Sequence, residues 1–113
     1  MFALNELCVI AYENASKREA KDGKVSTDTR QMLKHTATEV VEATEAYSRV
    51  LSTSDIREAG DMLNRIRADF ASELADIICC VLIIAGRENI DMEKALTDCM
   101  EKNYYRAIGK GDK

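Results

Sequence analysis

Proline and tryptophan are absent from this 113-residue chain, and glycine occurs only five times. Helix interiors therefore meet few breakers, and the abundance of Ala, Leu, Glu, Lys and Arg favours helix almost throughout. An all-α fold is expected. Basic charge is not in excess either: the formal net charge is -4 and aromatics make up 5% of residues. Without a basic patch interleaved with aromatics, a nucleic-acid polymer is not an expected partner, although a single nucleotide is compatible with this composition. The longest apolar run, Ile77 to Gly86, is about half of the roughly 20 residues a bilayer span needs, so no membrane is expected. Asn5 and Glu6 interrupt the apolar opening stretch, and no basic segment or small-residue cleavage site accompanies it, which argues against a signal peptide. The four cysteines, Cys8, Cys79, Cys80 and Cys99, have neither zinc-site spacing nor the loop-rich setting of a disulfide scaffold. They read as small core residues in a reducing, cytoplasmic compartment.

No repeat, low-complexity tract or linker divides the chain, so residues 1–113 form one domain, of a size at which oligomerisation commonly supplements burial. Four to five helices are expected. The first covers Phe2 to Lys21, with Leu4, Leu7, Cys8, Ala11 and Ala15 at core spacing. The second runs from Thr29 to Leu51 on an apolar stripe of Leu33, Ala37, Val40, Thr44, Tyr47 and Leu51. Asp55 and Glu58 resemble a capping box for a third helical stretch, with a break expected near Gly60 or Asp69 before it continues through Gly86. Asn89 suits a left-handed C-terminal position and Asp91 the next N-cap. The last helix then carries Met92, Leu96, Cys99 and Met100 as its buried stripe and ends near Ala107, before a frayed tail.

Against this scaffold stand two acidic pairs, Glu39 with Glu42 and Glu73 with Asp76. Residues three apart on a helix point the same way, so each pair forms a two-carboxylate patch. Two such patches facing each other would hold a hard divalent cation. On the second helix alone, Glu39 and Glu42 share a stripe with His35, Ala46 and Arg49 that reads as a solvated face. Glu73 and Asp76 change that weighting. They head the run Ile77 to Ala85, apolar all round and hence expected to be buried, where unpaired charge is costly. All-carboxylate ligation points to Mg²⁺ or Mn²⁺, and the lone His35 reads as a packed or surface residue rather than a ligand. On the last helix Lys102, Arg106 and Lys110 recur every four residues beside Asn103, a cationic stripe suited either to the helix dipole or to phosphates.

The motifs Glu39-Val-Val-Glu42 and Glu73-Leu-Ala-Asp76, followed by NIDMEKALTDCMEKNYYR from Asn89 to Arg106, resemble the MazG family of all-α nucleoside triphosphate pyrophosphohydrolases. The resemblance spans Leu33 to Arg106. It implies a helical bundle completed by dimer or tetramer formation, and hydrolysis of a nucleoside triphosphate to monophosphate and pyrophosphate. It further implies Glu39, Glu42, Glu73 and Asp76 as catalytic Mg²⁺ ligands, with Lys102, Asn103 and Arg106 contacting substrate. A phosphoribosyl-ATP pyrophosphohydrolase-like enzyme and a non-catalytic helical dimerisation module are the alternatives.

Overall fold

A computed structural model describes residues 3–53 and 60–109. Those residues form four helices and no strand: α1 (Leu4–Asp22), α2 (Thr29–Thr53), α3 (Gly60–Arg87) and α4 (Met92–Ala107). The fold is the expected all-α bundle. The proposed Asp55/Glu58 capping box and the Lys110 to Lys113 tail lie outside the described residues. From Gly60 onward α3 is continuous, with no break at Asp69.

Local signals place the helix ends. α1 stops at Gly23, whose φ of 67° lets its N–H reach back to the Glu19 carbonyl at 3.0 Å. Asp28 starts α2 by accepting from the Gln31 N–H at 3.1 Å. Asn89 takes the left-handed conformation expected of it, with φ 54°. Asp91 then caps α4 by accepting from the Lys94 N–H at 3.1 Å.

α3 is the central helix, packed by both α1 and α2, while the main packing of α4 is against α1. Hydrogen bonding of Thr29 to Glu88 at 2.8 Å, and the Tyr47–Phe70 ring contact at 5.2 Å, show that α2 and α3 run antiparallel. At Gly86, α1 comes so close that an added Cβ would meet the Cys8 carbonyl and lie 2.7 Å from the Tyr12 Cβ. Only glycine fits there.

Three expectations about burial are corrected. The face of α2 turned towards its neighbours carries Met32, Glu39, Ala43, Ala46 and Val50, all buried, whereas Leu33, Val40, Tyr47 and Leu51 of the expected core stripe are 45–57% exposed. The two stripes are adjacent on the helix and share the same spacing. The apolar run of α3 is buried only at Cys80 and Ala85, while Ile78 is 58% and Val81 39% exposed. One chain supplies α3 with packing partners on part of its circumference only, so an all-apolar helix is left partly bare. In the same way Leu96, Cys99 and Met100 of α4 are exposed, because α4 touches the rest of the chain mainly near its start. Cys79 is exposed as well, and the four cysteines are free thiols.

Candidate metal centre

The buried stripe of α2 brings Glu39 inward, and the facing stripe of α3, through Ile66, Phe70, Glu73, Ile77 and Cys80, brings Glu73 to meet it. Glu42, one turn beyond Glu39, closes the group: one oxygen from each of Glu39, Glu42 and Glu73 lies within 4.8 Å of the others. Three of the four acidic residues named from the sequence thus converge across the α2/α3 interface. Asp76 stands one turn along α3 from Glu73. It is exposed and lines, together with Glu39, a cleft of about 390 Å³ beside the trio.

Glu39 is only 8% exposed. Its Oε1 is engaged by His35 Nε2 at 3.0 Å, but its Oε2 and the Oε2 of Glu73 are buried and have no hydrogen-bond partner among the described residues. Two carboxyls can hydrogen-bond each other only with a proton between them, so the approach of Glu42 to both neighbours does not satisfy these oxygens in the ionised state. Desolvation, then the charge of Glu42, hold the Glu39 and Glu73 carboxyls above their ordinary value. For Glu73 the repulsion of Asp76 follows, and the attraction of Arg49 is a smaller opposing effect. Two orphaned oxygens in a trio of like charges fit a divalent cation with oxygen preference.

The neighbouring thiol offers no alternative chemistry. Burial pushes the Cys80 thiol up, away from the thiolate a nucleophile needs, despite its hydrogen bond with Thr36. Lys102, Asn103 and Arg106 lie on α4, and none of them borders the cleft. The cleft is lined instead by Arg18 of α1, Lys24 of the following loop and His35 of α2. Of these, His35 had a visible cue in its four-residue spacing to Glu39. Arg18 and Lys24 belong to a helix and a loop that only the tertiary fold brings to the site. A larger hollow of about 550 Å³, bordered by Asp28, Thr29, Arg30, Gln31 and Leu33, lies on the open surface at the start of α2 and includes none of the trio. The candidate site is therefore the smaller cleft, which Glu39 lines beside the trio.

The raised carboxyls set a pH signature. A folded-state value above the unfolded one means that the native protein binds more protons, so stability falls as pH rises through that interval. The metal-free protein is therefore expected to melt at a higher temperature as pH is lowered from neutrality towards the ordinary value of 4.5, and to lose that gain when saturating Mg²⁺ replaces the protons. Further acidification reverses the trend, because Glu19 and Asp91 are held below their ordinary values of 4.5 and 3.8 by hydrogen bonds that need the ionised form. Melting curves across this range check it. A steady fall on acidification from neutrality would contradict the strained trio.

Comparison with protein-family models, with curated proteins and with solved structures found no match to this chain. Among the described residues no helix is long and apolar enough to cross a membrane.

Proposed function

We propose that the protein is a Mg²⁺-dependent nucleoside triphosphate pyrophosphohydrolase, releasing a monophosphate and pyrophosphate. The observation that carries this reading is the Glu39, Glu42 and Glu73 trio with its two orphaned buried oxygens, of which Glu39 also lines a cleft. Glu39, Glu42 and Glu73 would hold the cation, which when bound offsets phosphate charge and polarises the α phosphate. His35 keeps Glu39 oriented through Oε1, leaving Oε2 directed to the trio. Asp76 borders the cleft without belonging to the trio, and we assign it to orient the attacking water and take its proton. Mn²⁺ suits the same oxygen set.

Self-association belongs to this proposal. A folded chain of 12.6 kDa ordinarily exposes about 6,200 Å², whereas this one exposes 8339 Å². The excess of roughly 2,100 Å² is more than the about 800 Å² that one partner contributes to a standard interface. The radius of gyration, 17.5 Å, likewise exceeds the about 13 Å expected of a compact chain of this length. Leu33, Val40 and Tyr47 on α2, with Ile78 and Val81 on α3, supply the apolar surface. Lys102, Asn103 and Arg106 are proposed to meet substrate from a second copy, since they do not border the cleft of their own chain.

Product analysis tests the reaction. Incubating the protein with Mg²⁺ and a panel of nucleoside and deoxynucleoside triphosphates is expected to yield pyrophosphate and the monophosphate. Phosphoribosyl-ATP, included in the panel, separates the related enzyme class. Orthophosphate with a diphosphate as products, or no turnover with either Mg²⁺ or Mn²⁺, overturns the proposal in favour of a non-catalytic helical module.

A further inference from the structure

The cleft beside the acidic trio also has cationic lining, and these charges come from parts of the chain that no acidic motif touches. Arg18, in the last turns of α1, and Lys24, in the loop after it, line the same cleft as Glu39 and Asp76. An adjoining hollow of about 220 Å³ shares Lys24, Val25, Met32 and His35, and extends the groove past Ser26 and Gln31. Unlike His35, which is committed to Glu39, neither Arg18 nor Lys24 forms an ion pair among the described residues. Arg18 and Lys24 thus share one open cleft with Glu39 and Asp76 without closing on either acid. A ligand that is itself anionic and brings or meets a cation fits between them, as a solitary acid or base does not.

The loop that carries Lys24 is fixed from several sides. The Lys24 N–H donates to Asp22 Oδ1 at 2.9 Å, and Thr27 donates through its N–H at 3.0 Å and its hydroxyl at 2.9 Å to the two oxygens of Glu19. Arg87 of α3 donates to the same Thr27 hydroxyl at 3.2 Å, tying the loop to the central helix. Thr27 is only 4% exposed, so these bonds are shielded from water on one side. A loop held this way fixes the backbone from which Lys24 extends before any ligand arrives, which spares part of the ordering entropy on binding.

We infer that Arg18 and Lys24 hold the distal phosphates of the nucleoside triphosphate, making the same chain that supplies the acidic trio supply the anion-binding wall. The inference rests on the reading of the site as one for a polyphosphate. Arg18 offers the planar fork that matches phosphate oxygens two at a time, and Lys24 a compact point charge beside it. Met32, Cys80 and Ile83 line the same cleft and add apolar surface beside these contacts.

Calorimetric titration of the Mg²⁺-loaded full-length protein with inorganic tripolyphosphate, run beside pyrophosphate-release kinetics, tests this. Arg18→Gln and Lys24→Gln are each expected to weaken tripolyphosphate binding by about 10- to 100-fold, and to lower kcat/KM mainly through KM. Arg18→Lys, which keeps the charge and loses the fork, is expected to fall between. Lys17→Gln makes the same charge change on α1 away from the cleft and should stay within about twofold of the parent. Unchanged tripolyphosphate affinity and KM in both Gln variants, with the parent active, overturn this inference and leave the hydrolytic reading standing. Binding that depends on Arg18 and Lys24 in a parent that releases no pyrophosphate does the opposite, upholding the anion wall while the hydrolytic reading falls. A parent that binds no tripolyphosphate in the presence of Mg²⁺ overturns the anion wall outright.

Discussion

Replacing Glu73 with glutamine is expected to lower kcat/KM by about 10³-fold or more, while the metal-free protein melts at a higher temperature than its parent. The two effects share one cause. Glu73 has a buried oxygen with no partner and sits beside Glu42 and Asp76, whose repulsion outweighs the attraction of Arg49. An amide of the same shape removes one negative charge and brings two donors that Glu39 and Glu42 can accept, so the metal-free fold relaxes. The same change removes one of the proposed cation ligands. Mg²⁺ is accordingly expected to raise the melting temperature of the parent more than that of Glu73→Gln, because binding to the native state alone stabilises by mass action. Thermal melts with and without Mg²⁺, beside the pyrophosphate assay, read both. A less stable but fully active Glu73→Gln protein would return Glu73 to the role of an ordinary ion-pair partner of Arg49.

The second large effect is expected at Val40, 47% exposed in the middle of the outward stripe of α2. Sedimentation of the parent at micromolar concentration should give at least twice the chain mass of 12.6 kDa. Val40→Asp should give the single-chain mass. In a two-fold interface the substitution enters twice, and an uncompensated buried charge costs about 3–5 kcal/mol, which corresponds to a dissociation constant raised by more than about 100-fold. Helical content of the variant should persist, since Val40 lies outside the α2/α3 packing. A parent that sediments as one chain, or a Val40→Asp protein that stays associated, removes self-association from the proposal.

How the sequence relates to this structure differs from element to element. Helix ends were legible where a single residue carries the signal: Asn89 with its positive φ and Asp91 with its cap are where their side-chain chemistry puts them. Which face of α2 turns inward was not legible. Amphipathicity records that Leu33, Val40 and Tyr47 share a face, and standard reasoning buries that face in the chain's own core. Here the inward face is the one with Met32, Glu39, Ala43 and Ala46, whose small residues permit close approach to α3. The spacing of Glu39, Glu42 and Glu73 allowed their convergence to be anticipated, because each pair needs only helical geometry and the facing helix. Asp76 followed from the same geometry but falls outside the tight trio, since its position on α3 turns it towards the cleft. The anion wall escaped notice for a different reason. Arg18 and Lys24 are ordinary exposed cations in the linear chain, and only the packing of α1 against α3 brings them to the cleft that Glu39 and Asp76 line.

Gly86 gives that arrangement a mechanical character. With no side chain to hold the helices apart, the backbone of α1 at Cys8 rests on α3 as on a pivot. Arg18 lies ten residues farther along α1, a lever arm of about 15 Å at the helical rise. A side chain wedged in at Gly86 that tilted α1 by roughly 10° would swing the arginine by about 2–3 Å. Displacements of about 1 Å can cost a catalytic site two orders of magnitude, so the gauge of the cleft is set at a distance, by the one position in the α1/α3 contact that has nothing to contribute but space.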